Sequence, residues 1–197
     1  MIMRLLTLLL LFPTLSVFAQ DENIRASGIL PYIITNDSVY ILLGYDNDKP
    51  GWTDFGGGRE WVTTLDEEKR LETPAEIAMR EFFEECRKVY GTEEIRQNFD
   101  PDNYIPSANG VYRSYLVKMP YRSREEFRKA PIPADEKFAI FREKSDFYWI
   151  TLSELKSIIR SGGNTLPRSP NGGVIFKYFY DTLVIVLKDD SIDEKFK

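Results

Sequence analysis

Glu81, Glu84 and Glu85 stand at i, i+3 and i+4 in the stretch Arg80-Glu81-Phe82-Phe83-Glu84-Glu85, so on a helix three carboxylates share one face. Like charges at this spacing repel one another, and a divalent cation lying over them removes the repulsion. Hard carboxylate oxygens suit Mg²⁺ or Mn²⁺. A charge run by itself more often marks a solvated helix face. Here the flanking residues shift the balance, because Gly56-Gly57-Gly58 and Glu72 lie just upstream. Successive glycines let backbone N–H groups approach an anion, or leave a carbonyl free for a metal.

The helix that must hold these carboxylates is well signalled. Thr73-Pro74-Ala75-Glu76 forms a capping box, with Thr73 as N-cap, Pro74 at N1 and Glu76 at N3. Gly91, after Tyr90, is the expected stop. With Glu81 at zero and about 100° per residue, Ala78, Val89, Phe82, Ala75, Cys86, Met79 and Phe83 fall between about 60° and 200°. The three glutamates fall between about 300° and 40°. One face is therefore core and the other acidic. Ile77 intrudes on the acidic arc, which predicts a partly covered cleft.

These residues resemble the Nudix hydrolase box, G-x5-E-x7-R-E-U-x-E-E-x-G-U, where U is a bulky apolar residue. Gly58, Glu72, Arg80, Glu81, Phe82, Glu84 and Glu85 match it. Two features depart from it: thirteen residues rather than five separate Gly58 from Glu72, and Arg87 and Lys88 replace the final glycine and apolar residue. The resemblance implies an α+β fold, an α/β/α sandwich with a mixed sheet. It also implies that Glu81, Glu84 and Glu85 hold Mg²⁺ or Mn²⁺, and that Arg80 orients a catalytic glutamate through a buried pair with Glu72 or Glu81. Glu72 supports the site, and Gly57 and Gly58 contact the substrate. Catalysis is thereby assigned to Glu81, Glu84, Arg80 and Glu72. The general base varies within the family. Asp135, Glu136 and Glu143, from a later loop, are the candidates.

Composition excludes much else. The chain has 197 residues, 43% hydrophobic and 29% charged, which suits one globular domain over residues 20–197. It contains no histidine, so Ser-His-Asp and Cys-His catalysis and His-ligated zinc are excluded, and proton transfer falls to carboxylates, a lysine or a metal-activated water. The single Cys86 excludes an intramolecular disulfide and sits on the apolar arc as a core residue. A net charge of −5 with no basic stripe argues against a nucleic-acid polymer as partner. Residues 1–19 read as a secretory leader: a basic start at Arg4, an apolar run from Leu5 to Phe12, Pro13, and Val17-Phe18-Ala19 before the cut. Export to a periplasmic or external space follows, with no membrane association after cleavage.

Along the rest of the chain, 24–34, 39–45, 52–55, 110–119 and 147–150 read as strands, with Asn36-Asp37-Ser38 as a turn. Residues 59–72 read as a charged insertion without structure of its own. Short helices are expected over 123–129 and 151–160, and a closing helix over 174–188, where Val184-Ile185-Val186 leaves a strand open. Residues 161–173 form a long loop. Tyr45, Trp52, Tyr112 and Trp149 could stack on a base, although core packing is the commoner role. The expected function is Mg²⁺- or Mn²⁺-dependent cleavage of a phosphoanhydride in a nucleoside diphosphate linked to another group, or in a related small-molecule diphosphate. The alternatives are a non-catalytic nucleotide-sensing module and an enzyme for non-nucleotide pyrophosphates such as inositol pyrophosphates.

Overall fold

The computed structural model describes residues 22–132, 140–170, 172–188 and 191–196. The leader at 1–19 and the candidate bases Asp135 and Glu136 lie outside the described residues. β1 (Ala26–Thr35) turns through Asn36 and Asp37, with φ of 48° and 56°, into β2 (Ser38–Asp46). Two successive positive φ values suit a tight hairpin, and Asn and Asp tolerate them best among residues with side chains. β3 (Gly51–Thr53) and β4 (Phe55–Gly58) follow. β5 (Trp61–Thr63) and β6 (Lys69–Leu71) come next, then α1 (Pro74–Glu85) and α2 (Thr92–Asn98). β7 (Tyr104–Pro106), β8 (Tyr112–Lys118), α3 (Arg124–Lys129) and β9 (Lys144–Thr151) lead to α4 (Leu152–Arg160) and α5 (Lys177–Val186).

The described strands build a seven-stranded mixed sheet in the order β3-β2-β1-β8-β7, with β4 paired to β1 and β9 paired to β2. β1 and β8 run parallel, from Ala26 beside Tyr112 to Tyr32 beside Lys118. Both faces of this sheet are covered, which explains why its strands read as near-continuous apolar runs. Side chains alternate accordingly. Leu30, Ile41, Leu43 and Leu116 pack with Leu155 and Ile159 of α4 and Phe179 and Leu183 of α5. Ile29, Leu42, Tyr115 and Val117 pack with Ala78 and Phe82 of α1, Ile95 of α2 and Phe127 of α3. The architecture is the α/β/α sandwich with a mixed sheet that the box implied.

Four sequence expectations change. Helix α1 stops at Glu85 rather than near Tyr90, because Arg87 and Lys88 adopt φ of 58° and 60°. Left-handed backbone costs a residue with a side chain about 1 kcal/mol or more. Tertiary contacts offset this: Arg87 donates to the carbonyls of Phe127 and Lys144 at 3.2 and 2.7 Å, and the Lys88 ammonium lies 4.6 Å from the Phe141 ring centroid. Gly91 is therefore not the stop but the N-cap of α2. Second, residues 59–72 are not unstructured, since β5 and β6 pair as a small hairpin with Trp61 opposite Leu71. Third, α2 and β7 had no place in the sequence reading. Fourth, the closing helix begins at Lys177, and Val174 and Ile175 instead form bridges to Thr165 and Trp52.

Candidate active site

Helix α1 begins with the capping box read from the sequence. The Glu76 amide donates to the Thr73 hydroxyl at 3.3 Å, and the Thr73 amide donates to the Glu76 carboxylate at 2.8 Å. This fixes where the helix starts, and hence which residues face the glycine strand β4. Arg80 then gathers the site. Its Nε and Nη2 fork onto Glu72 at 2.8 and 3.0 Å, its Nη1 reaches Glu81 at 2.8 Å and Glu84 at 3.3 Å, and its Nη2 also donates to the Gly58 carbonyl at 2.9 Å. A rigid planar guanidinium is suited to this multiple task in a way an ammonium is not. The expected pair with Glu72 or Glu81 is thus a pair with both.

Gly57 faces the site. A Cβ there would collide with the Glu81 carboxylate, so glycine is what allows the helix and strand to approach. Gly58 has open space on its side-chain face, and its carbonyl is taken by Arg80. Ile77, on the acidic arc, is fully buried, in keeping with a partly covered cleft. Trp52 is fully buried in the core between Tyr45 and Tyr148, so of its two readings packing holds.

Glu85 is placed differently from its two partners. It is buried, and its Oε1 meets the Lys144 ammonium at 3.0 Å, while Lys144 also binds Asp46 at 3.0 Å. Glu81 and Glu84 therefore lean on Arg80, and Glu85 leans on Lys144. Among the described residues no three acidic side chains converge into a ligating group. Sequence reading missed Lys144 and Asp46. The only signal was a lysine shortly before the apolar run Phe147 to Ile150, which carries no position in space.

Electrostatics mark the cluster as short of positive charge. Burial pushes the Glu81 carboxyl up to about 7, against the pull of Arg80, and raises Glu84 as well. Burial pushes Glu85 up to about 8 despite Lys144. Burial also works against the Lys144 charge, but Glu85 and Asp46 more than compensate and raise it. For Glu72 burial is outweighed by the Arg80 fork and the Glu60 amide, which hold it below the ordinary range. Glu143 is half-buried, and its charge raises Glu81, Glu84 and Glu85 alike, so it is the one candidate base among the described residues and it bears directly on the cluster.

The donor chemistry of these residues suits a divalent cation, although among the described residues no three of them are gathered into one group. The Glu85 Oε2 atom is buried with no hydrogen-bond partner among the described residues, which is costly for an acceptor unless a positive group answers it. The available donors are all carboxylate oxygens, the set that Mg²⁺ and Mn²⁺ prefer.

Fold and site together give an α/β/α sandwich in which a glycine strand and a capped acidic helix are tied by one arginine. No family model matches the chain. No curated protein sequence matches it. Among solved structures, an Ap4A hydrolase from C. elegans aligns with a TM-score of 0.41 at 18% identity, over 68% of this chain and 85% of that one. RenU, a Nudix hydrolase from M. smegmatis, aligns at 0.37 and 14% identity, over 83% and 86%. A bifunctional NMN adenylyltransferase/ADP ribose pyrophosphatase from Francisella tularensis, in complex with AMP and a manganese ion, aligns at 0.39 and 21% identity, over 83% of this chain and 41% of that one.

The ion pair of Asp146 with Arg124 makes a pH prediction. Asp146 accepts two hydrogen bonds from Arg124, at 2.7 and 2.6 Å, and one from the Phe147 amide. Burial would raise its pKa, but these donors hold it below the ordinary range. A depressed carboxylate stabilises the fold above its unfolded pKa of about 4, and that contribution is lost as pH falls through the folded value. Wild type is expected to exceed Asp146→Asn in urea midpoint at pH about 6, and the gap should close on acidification towards about 3. A gap independent of pH would show that Asp146 is not held ionised.

Proposed function

We propose that this protein hydrolyses a phosphoanhydride bond with Mg²⁺ or Mn²⁺, in a nucleoside diphosphate linked to another group or a closely related diphosphate. The observation that carries this reading is the convergence on Arg80 of Glu72, Glu81, Glu84 and the Gly58 carbonyl, residues that match the Nudix box in order and spacing from Glu72 onward. Glu81 and Glu84 would hold the cation, with Glu85 as the third ligand through its unpartnered oxygen. A bound Mg²⁺ or Mn²⁺ would supply charge neutralisation at the diphosphate and a water of lowered pKa. Arg80 keeps Glu81 and Glu84 aligned beside Gly57, and Glu72 keeps Arg80 in place. Of the three candidate bases, Asp135, Glu136 and Glu143, only Glu143 lies among the described residues, and it would serve as the proton acceptor.

A panel of diphosphates incubated with Mg²⁺, with Mn²⁺ and with EDTA tests the reading. Turnover of at least one diphosphate that EDTA abolishes and metal restores is the expected result. Turnover indifferent to EDTA would sink it. A second reading, a module that binds a nucleotide without cleaving it, is favoured by one observation: Lys144 already engages Glu85. Tight nucleotide binding in calorimetry with no product by chromatography would support that alternative.

The leader motivates a further part of the proposal, that the mature chain begins at Gln20 and works outside the cytoplasm. Residues 59–72 and 161–173 would select the substrate, since a site that recognises only the diphosphate cannot discriminate by itself. Among the described residues no helix is long and apolar enough to cross a membrane. Intact-mass analysis of protein from its native host decides the point: residues 1–19 retained on soluble cytosolic protein would rule export out.

A further inference from the structure

Lys144, the first residue of β9, lies outside the box and is buried, with 1% of its side chain exposed. It is held at three places. Its backbone carbonyl accepts a hydrogen bond from the Arg87 guanidinium at 2.7 Å. Its stem lies across Gly44 of β2, where a Cβ would meet Lys144 Cγ and Cδ at 3.0 and 2.9 Å and the Phe55 ring at 3.1 Å. Its ammonium donates at 3.0 Å to Asp46, its register partner on β2 past a bulge between Tyr45 and Asp46. A lysine held in this way has already lost the rotamer freedom that makes a surface lysine a poor positioning group.

From this seat the ammonium reaches Glu85 Oε1 at 3.0 Å. Glu85 is buried as well, and its Oε2 has no hydrogen-bond partner among the described residues. One oxygen is thus fixed by a cation that belongs to the chain, and the other is free for a second cation. A lysine here has two opposing effects on a divalent ion. Its charge repels the ion, and its hydrogen bond orients a carboxylate that would bind it. Asp46 decides between them. Lys144 and Asp46 together carry no net charge, so what they present is chiefly a directed donor to Glu85 and not a net positive field. Arg80 meanwhile bonds Glu81 and Glu84, so the acidic face is set from two sides.

We infer that Lys144 is a positioning residue for the divalent cation: held by Asp46, Gly44 and Arg87, it fixes Glu85 through Oε1 and leaves Oε2 to the metal. The inference rests on the metal-dependent reading and deepens it by assigning the cation a residue outside the box. Mn²⁺ binding to the full chain without substrate, read from the electron paramagnetic resonance signal of free Mn²⁺, tests it. Lys144→Met should weaken binding about 10–100-fold, the usual loss when the partner of a ligating side chain is removed. Glu85→Gln should lose a similar amount, and the double variant little more than either alone, because the lysine acts through that carboxylate. A residue that only supports the fold would shift thermal unfolding without this coupling, so additive losses overturn the inference. Lys144→Met leaves Glu85 and Asp46 without their cation and can fail to fold, so Asp46→Asn supplies a second route. Its Oδ1 still accepts from the Asp48 and Lys49 amides, which keeps the turn. The lysine charge is then no longer cancelled, and Mn²⁺ binding should weaken about threefold or more. Unchanged affinity in either variant overturns the inference, and tighter binding in Lys144→Met does so by making the lysine a rival of the metal. Wild type that binds no Mn²⁺ overturns the metal reading and this inference together, whereas wild-type binding that the variants leave unaltered overturns this inference alone.

Discussion

Glu84→Gln is expected to lower kcat/KM for metal-supported diphosphate hydrolysis by about 10²–10⁴-fold while leaving the fold intact. The substitution keeps the size and removes the anionic oxygen. Arg80 loses little, since its contact with Glu84, at 3.3 Å, is longer than those it makes with Glu72 and Glu81, at 2.8 Å each. The Glu84 side chain is 18% exposed, so no deep cavity or orphaned partner is created. Thermal unfolding monitored beside the kinetics separates the two effects. A variant as fast as wild type would remove Glu84 from the reacting centre.

Arg80→Ala is the substitution with the largest expected cost to both fold and activity. Glu72 is 3% exposed and would lose its forked partner, which leaves a buried carboxylate answered by the Glu60 amide alone, at about 3 kcal/mol. Glu81 and Glu84 would then repel each other with nothing between them. The double variant Arg80→Ala with Glu72→Gln should recover a substantial part of the stability, because the orphaned charge is gone, but none of the activity. Urea unfolding of the four proteins of this cycle gives the coupling. Independent, additive effects would show that Arg80 and Glu72 are not one unit. Arg80→Lys, which keeps the charge and loses the fork, should retain most of the stability and still lose at least about tenfold in kcat/KM.

Much of this was legible in the residues. The capping box at Thr73-Pro74-Ala75-Glu76 set the start of α1, because its signal is local: side chain and backbone groups three residues apart satisfy each other. The alternation in β8 was legible for the same reason, with Tyr115 and Val117 on one face and Leu116 on the other. The helix end was not. Its stop depends on Arg87 reaching carbonyls at Phe127 and Lys144, and neither lies near it in sequence. A glycine at position 91 looked like the usual terminator because the sequence shows propensity but not contacts.

The sequence by itself determined the acidic helix, its starting point, the box residues that must meet, and a sheet buried on both faces. The helix and its start follow from periodicity and from bonds between near neighbours, whereas the meeting of the box residues and the layering of the sheet were implied by the resemblance to the box. Only the tertiary structure decided which cation answers which carboxylate. Arg80 serves Glu72, Glu81 and Glu84, whereas Lys144, far from Glu85 along the chain, pairs with that glutamate. A cavity beside Asp54 likewise exists only once β8, the β3–β4 junction and α5 are packed together. Charge pairing and cavity shape are set by distance in space, and a linear pattern of residue types carries no information on that distance until the chain has folded.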